Sequence, residues 1–341
     1  MGMDHVIRQN KVTKQWVIFA PSRRRRPSDL REAPARSDSP ADAQHDPSCP
    51  FCPGNEEALG AVVEELPGPP PHGWRTRVIP NKYPALSPGL DARRLQVGAY
   101  LAVGGHGRHE VIIESPTHNR DIPDMEPEEV LAVVDTYHRR HRELMARDDT
   151  LLTLTFRNRG PGAGASMAHP HSQVISLPVA PPYVRWREEE AQRYFDEWGR
   201  CCLCDTVAEE LRVGERLVLT DPAFVAFVPF AAETPCEIWI VPRRHQADFV
   251  ELEESEKALL AQILRESLRR VATALGRPDY NYVIHSSTQY RVGEPHVHWY
   301  LQILPRLTRR AGFEIGTNVA INPSLPEEDA RLLRGCAPGD H

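Results

Sequence analysis

Two cysteine pairs and a run of histidines are the residues of this chain best equipped for chemistry. Cys49 and Cys52 enclose Pro50-Phe51, and Cys201 and Cys204 enclose Cys202-Leu203. Two thiolates two residues apart can grip one ion from a single turn, and distant histidines then tie other segments to it, as in a tetrahedral Cys2His2 site. Ser115-Pro116-Thr117-His118 and then His169-Pro170-His171-Ser172-Gln173 follow the first pair. Pro242-Arg243-Arg244-His245 and then His298-Trp299-Tyr300-Leu301-Gln302 follow the second. The order is CxxC, a single His, then H-x-[HY]-x-Q, both times. We therefore expect two closed, structural sites with zinc as the ion: Cys49, Cys52, His118 and His169, and Cys201, Cys204, His245 and His298. Reduced buried cysteines beside unrelated histidines are the plain alternative. A redox CxxC lacks the βαβ setting it needs.

The repeat separates the two histidines of His169-Pro170-His171. On a strand, side chains at i and i+2 face the same way. His169 can hold the metal while His171 stands beside it, free to react. Tyr300 takes the reactive position in the second copy, and tyrosine is a poor nucleophile at neutral pH, with a reference pKa of about 10. His171 is thus the expected nucleophile, and a neutral imidazole can attack phosphorus if its other nitrogen donates to a fixed acceptor. Gln173, on the same face, can donate its amide to a phosphoryl oxygen as charge gathers there. Ser166 and the glycine-rich Gly160–Gly164 segment lie just upstream, where backbone N–H groups can approach phosphate or simply form a turn. Arg23-Arg24-Arg25-Arg26 is either a solvated segment or a source of phosphate contacts from Arg23 or Arg26. His106, His109, His138, His141 and His285 have no partner pattern and read as surface or core histidines.

The elements around these residues repeat too. Glu110–Glu114 and Glu237–Val241 read as short apolar strands ahead of each single His. An acidic amphipathic helix follows each, about Glu126–Arg147 and Glu253–Leu275, then strands at Leu151–Arg157 and Tyr280–His285. The pattern predicts an α+β fold of two pseudo-symmetric halves, each a mostly antiparallel sheet with helices. The proline-rich Leu177–Tyr183 segment divides them into a catalytic half, 1–183, and a second half, 184–341. The longer first gap between CxxC and His is assigned to the prolines and glycines around Pro67–Pro71.

Bulk properties set limits. Among 341 residues, 40% hydrophobic content allows a sizeable core, and a net charge of −6 gives no general drive toward nucleic acid or anionic membranes. No apolar run approaches the ~20 residues of a membrane span. Met1–Gln15 lacks the apolar centre of a secretory signal, so a cytoplasmic protein is the default.

These motifs, over nearly the whole chain, resemble the galactose-1-phosphate uridylyltransferase family, a branch of the histidine-triad superfamily. The likeness begins at Lys14-Gln15-Trp16-Val17-Ile18 and runs through Ser22–Pro27, Arg77-Val78-Ile79-Pro80-Asn81-Lys82-Tyr83, Phe156-Arg157-Asn158-Arg159-Gly160 and Gly312-Phe313-Glu314-Ile315. The resemblance implies a duplicated histidine-triad-like unit, commonly a homodimer, acting in galactose metabolism on a nucleotide sugar and a hexose 1-phosphate. It implies ping-pong transfer of UMP from UDP-glucose to galactose 1-phosphate through a nucleotidyl-His171. Asn81 and Tyr83 match nucleoside-side positions, Asn158, Ser166 and Gln173 phosphate contacts, and Phe313 and Glu314 the hexose-facing segment. Met167-Ala168 before the motif, Ser172 within it and the complete second CxxC look closer to the ADP-glucose phosphorylase branch. That branch moves AMP and can use inorganic phosphate as acceptor. A histidine-triad hydrolase and a non-catalytic zinc protein are the remaining readings.

Overall fold

The computed structural model describes residues 5–23 and 43–336. Its strands, in chain order, are β1 (Val6–Gln9), β2 (Trp16–Phe19), β3 (Glu64–Pro67), β4 (Trp74–Pro80), β5 (Arg94–Val97), β6 (Tyr100–Val103), β7 (Arg108–Ile113), β8 (Leu152–Arg159), β9 (His171–Leu177), β10 (Leu217–Thr220), β11 (Phe224–Phe227), β12 (Ile238–Pro242), β13 (Tyr280–His285), β14 (Tyr300–Pro305) and β15 (Ala320–Asn322). The helices are α1 (Pro127–Met145), α2 (Pro182–Trp198), α3 (Cys202–Val213), α4 (Glu254–Leu275), α5 (Gly312–Thr317) and α6 (Pro326–Arg334).

Ten strands form one sheet in the order β10-β11-β12-β14-β13-β8-β9-β7-β4-β3. The order is a mirror: β3-β4-β7-β9-β8 of the first half meets β13-β14-β12-β11-β10 of the second. The fold is α+β and duplicated, as the repeat implies, yet the halves do not hold separate sheets. Antiparallel pairing of β8 with β13, Asn158 opposite Asn281 and Phe156 opposite Val283, joins them. Strands β1 and β2, with β15 parallel to β2, make a small second sheet.

Period-2 alternation sends each strand's residues to two environments. Val78, Ile112 and Val174 in the first half, and Ile238, Tyr282 and Ile303 in the second, point into one core with α1 and α4. Both helices start on acidic residues. The Glu126 N–H donates to Glu129 Oε2 at 2.7 Å, and the Glu253 N–H to Glu256 Oε2 at 2.9 Å. Each pair is half of a capping box, and the carboxylates face the positive helix end. On the opposite sheet face lie two smaller clusters. Val111 and Ile113 pack there with Cys49, Phe51 and Cys52, and Trp239, Val241 and Tyr300 with Cys201 and Leu203. Both cysteine pairs thus sit on the face away from the long helices.

The extra length of the first half has two sources. A longer β3–β4 turn carries Pro67–Pro71, as expected. The β5–β6 hairpin, inserted between β4 and β7, has no counterpart between β11 and β12.

Candidate active site and metal centres

The four ligand atoms of each expected set lie within 4.8 Å of one another. In the first, Cys52 Sγ is 3.4 Å from His118 Nδ1 and 3.6 Å from His169 Nδ1, and Cys49 Sγ is 3.7 Å from His169 Nδ1. In the second, Cys204 Sγ is 3.4 Å from both His245 Nδ1 and His298 Nδ1, and Cys201 Sγ is 3.9 Å from His298 Nδ1. The far ring nitrogens donate to carbonyls, His169 to Ser115 at 2.8 Å and His245 to Glu294 at 3.2 Å. These bonds fix the tautomer that leaves Nδ1 free to ligate. Burial pushes the His169 ring down to about 4, so it is neutral at neutral pH, as a ligand must be. Both groups have the donor set and spacing to hold a metal ion. The first CxxC lies in a turn and the second opens α3.

His171 is the first residue of β9, and His169 precedes the strand rather than lying in it. The approach places the His169 carbonyl 2.8 Å from His171 Nδ1. A carbonyl only accepts, so Nδ1 carries the proton and Nε2 keeps its lone pair. Burial lowers the pKa of His171, which keeps the ring neutral and nucleophilic. The Phe51 ring, between the cysteines, packs edge-on at 5.6 Å from His171 and 5.9 Å from His169. The turn that carries Cys49 and Cys52 therefore also fixes the His171 ring.

Gln173 lies two residues on, opposite Val111 on β7 and Phe156 on β8. Its Oε1 is 2.7 Å from His109 Nε2 and 3.5 Å from Asn81 Nδ2. The structure thus brings Asn81 to Gln173, while Tyr83, 83% exposed, has its N–H held by Asn81 Oδ1 at 2.9 Å. Asn158 follows Phe156 on β8, on the same strand face. Its Oδ1 accepts from Asn281 Nδ2 at 2.7 Å, which turns its NH2 the other way. Asn281 is oriented in turn by a donated bond to the Ala163 carbonyl at 2.9 Å and by one accepted from Arg306. The second half thereby reaches a residue of the candidate site.

Ser166 is exposed on the segment before the motif. The glycine segment is a plain turn. Four successive N–H groups are already used, Gly162 by Asp279 Oδ2 at 2.6 Å, and Ala163, Gly164 and Ala165 by carbonyls of Gly160 and Pro161. Those four groups are not available to a phosphate. Arg23 ends an exposed turn at Pro21–Arg23, and Arg26 lies outside the described residues. Phe313 and Glu314 sit on α5. Glu314 Oε2 is spent on capping that helix, accepting from the Ala311 N–H at 2.8 Å. Among the described residues no hydrogen bond ties either to the His171 cluster.

Behind the sheet, facing α1, is a buried polar network. Glu114 receives Arg157 Nε at 2.9 Å, Tyr137 OH at 2.6 Å and the Ser172 hydroxyl. Burial opposes the Arg157 charge, yet Glu114, with Tyr280 and Asp121, holds its pKa well above the usual guanidinium value. Ser172 also shares a hydrogen bond with Tyr137 OH, which bonds β9 to α1.

The second copy of the site is closed. Tyr300 is wholly buried, stacked against Trp239 at 4.3 Å and His285 at 4.6 Å between ring centroids.

Two family models cover the chain. The N-terminal domain of galactose-1-phosphate uridyl transferase matches residues 2–181, and the C-terminal domain residues 187–334. The chain belongs to the galactose-1-phosphate uridylyltransferase family. It is a nucleotidyltransferase. Within the family, it is 38% identical to an ADP-glucose phosphorylase of Arabidopsis thaliana, over 96% of this chain and 92% of that one. It is 28% identical to the galactose-1-phosphate uridylyltransferase of Thermotoga maritima, over 96% and 97% of the two chains. The crystal structure of the Arabidopsis ADP-glucose phosphorylase with bound ADP-glucose superposes with a TM-score of 0.82 at 36% identity, covering 97% of this chain and 98% of that one. A uridylyltransferase structure gives 0.74 at 25% identity, covering 97% of each. Likeness is thus greater to the phosphorylase branch than to the uridylyl-transferring relatives.

Sequence reasoning missed four parts of the site in this family member: His109, Phe51, Asn281 and the Glu114–Arg157 pair. Phe51 was within reach, because it lies between the two cysteines of the first candidate metal group. The others carry no local signal, since their partners are far along the chain.

Proposed function

We propose that this enzyme is an adenylyl-transferring ADP-sugar phosphorylase working through a covalent histidine. His171 Nε2 attacks the α-phosphorus of ADP-glucose. The bond from that phosphorus to the bridging oxygen breaks, and glucose 1-phosphate leaves with the electron pair. An oxygen of inorganic phosphate then attacks the adenylyl-histidine, releasing ADP and restoring the imidazole. The observation that carries the reading is the His169 carbonyl at His171 Nδ1, which presents a neutral ring with Nε2 free. The choice of adenylyl rests on the greater likeness to the phosphorylase branch.

Gln173 and Asn158 are assigned to the phosphoryl oxygens and Asn81 and Tyr83 to the nucleoside. Arg23, Arg26 and Ser166 are assigned to phosphate, and Phe313 and Glu314 to the sugar. We assign catalysis to residues 1–183, with 184–341 as the supporting half. Zinc is the ion we assign to both Cys2His2 groups. Tetrahedral ligands at ~2.3 Å (S) and ~2.0 Å (N) stand about 3.5 Å apart, close to the separations above. The role is structural, with no open coordination position. A homodimer is supported by the β5–β6 hairpin, whose Leu95, Val97, Tyr100 and Leu101 are exposed, because an isolated two-stranded hairpin is marginal in water. Among the described residues no helix is long and apolar enough to cross a membrane. Closely paired cysteines committed to a metal suit a reducing, cytoplasmic setting.

The family model supports a second reading with the same chemistry: UMP from UDP-glucose to galactose 1-phosphate. Incubation with ADP-glucose or UDP-glucose labelled at the α-phosphate, without acceptor, tests both. Label on protein that disappears in His171→Asn is expected, faster from ADP-glucose. Faster labelling from UDP-glucose selects the uridylyl reading, and no label from either donor overturns the covalent route.

A further inference from the structure

The Gln173 amide must point one way to help, and nothing intrinsic to glutamine chooses that way. Its terminal torsion is broad and roughly two-fold. With NH2 toward His171 it stabilises charge on a phosphoryl oxygen, and with Oε1 there it repels that charge. Three neighbouring bonds decide. The Ala85 N–H donates to His109 Nδ1 at 3.1 Å, so in the neutral ring the proton is on Nε2. His109 Nε2 is then a donor, 2.7 Å from Gln173 Oε1. Asn81 Oδ1 is committed to the Tyr83 N–H, so Asn81 presents its NH2. That group is 3.2 Å from His109 Nε2, which is itself a donor, and 3.5 Å from Gln173 Oε1, which can accept. Two donors hold the oxygen, and the NH2 end is left for the face shared with His171.

The second half supplies an internal control. Gln302 lies opposite Trp239 as Gln173 lies opposite Val111. Two residues before Val111 is His109, and two before Trp239 is Glu237. Glu237 is an acceptor, and there the amide is reversed. Gln302 Nε2 donates to Glu237 Oε1 at 2.7 Å, and Gln302 Oε1 meets His285 Nε2 at 2.7 Å. A donor at this strand position accompanies one polarity and an acceptor the other. Donor identity tracks which half keeps the reactive histidine.

We propose that His109 is a positioning residue that fixes the polarity of the Gln173 amide, and that the His/Glu difference at this position separates a competent half from a silent one. The inference rests on the covalent reading above. It is tested by single-turnover formation of nucleotidyl-His171 in the wild type and three His109 variants, each with Gln173 and with Gln173→Ala. His109→Leu removes the donor and slows labelling roughly tenfold. His109→Glu imports the second-half acceptor and slows it roughly a hundredfold. His109→Gln restores a donor and recovers most of the rate. The losses fall on kcat rather than KM, and they vanish in a Gln173→Ala background, since a residue acting through Gln173 has nothing left to orient. Metal content and melting temperature monitor folding in each variant. Labelling by His109→Glu at the wild-type rate, or losses that add to those of Gln173→Ala, overturns the proposal. If the wild type takes no label, the covalent reading fails on its own. Neutron diffraction of the wild type, which distinguishes N from O, then still decides the polarity. Oxygen toward His109 is expected, and NH2 toward it overturns the inference.

Discussion

Replacing Glu114 by leucine measures how far the buried network holds β9 to the rest of the fold. Glu114 is 1% exposed and Arg157 2%. Their Nε–Oε2 distance is 2.9 Å. Removing one partner of such a pair costs about 3–5 kcal/mol, because the other charge stays buried. Arg157 keeps a second partner, Asp121 at 2.8 Å, and Tyr137 keeps Tyr282 at 2.6 Å. The expected loss for Glu114→Leu therefore lies at the low end, about 3 kcal/mol. Arg157→Met strands the carboxylate, with only hydroxyl donors left, and should cost a similar amount. The double variant removes both charges and should lose less than the sum, by about 2 kcal/mol. Urea unfolding of metal-loaded protein, followed through its six tryptophans, reads these differences as midpoint shifts at constant slope. Additive single losses, or a Glu114→Leu cost below about 1 kcal/mol, refute the coupling.

Burial, with Arg187 adding, pushes His285 down to about 3. A depressed folded value means stability that is present above the unfolded pKa of about 6.5 and lost as pH falls toward 3. Between pH 7 and pH 4 the wild type should lose on the order of 2 kcal/mol more than His285→Phe, after allowance for solvent at a half-buried ring. Equal acid titration curves would refute this. Tyr300→His in a His171→Asn background should take no label, because the Trp239 and His285 rings close over position 300. Cys201→Ser should lose about one of two ions by elemental analysis and melt at lower temperature. Retention of both ions would remove the second metal site.

Much of the site was legible because it is written in spacing. The two CxxC-His-HxxxQ series give the two Cys2His2 groups that the fold gathers, and period-2 logic puts His171 and Gln173 on one face. The helices at Pro127–Met145 and Glu254–Leu275 follow from acidic starts and 3.6-residue periodicity. What stayed hidden depends on partners remote in sequence. In β8, Leu152–Arg159, the apolar-polar alternation of a half-covered strand says nothing of which strand lies beside it. The union of the halves through β13 was therefore invisible. His109 carries no motif, and its meaning comes from Ala85, Asn81 and Gln173 together. The β5–β6 hairpin exposes Leu95, Val97 and Tyr100, which pattern reading would have buried. The glycine-rich run reads equally as a phosphate loop or a plain turn, and the residue that favours the turn, Asp279 at the Gly162 N–H, is far along the chain.

The seam between β8 and β13 has a property that bears on how such a chain can arise. Phe156 and Val283 each lie opposite the glutamine of their own half, Gln173 and Gln302, and they pair with one another. On either side the pairing is reciprocal: Thr155 meets Ile284 and Arg157 meets Tyr282. The register is that of an isologous contact, the kind two identical chains make across a two-fold axis. A half-length ancestor with this topology would carry its β8 as a bare edge, which the same strand of a second copy could cover in this register. Joining the copies through the Leu177–Tyr183 segment makes that encounter intramolecular, so the sheet no longer depends on protein concentration. It also releases the two copies from identity. One can keep a histidine where the other has a tyrosine, and a donor where the other has an acceptor, neither of which a symmetric pair of identical chains permits.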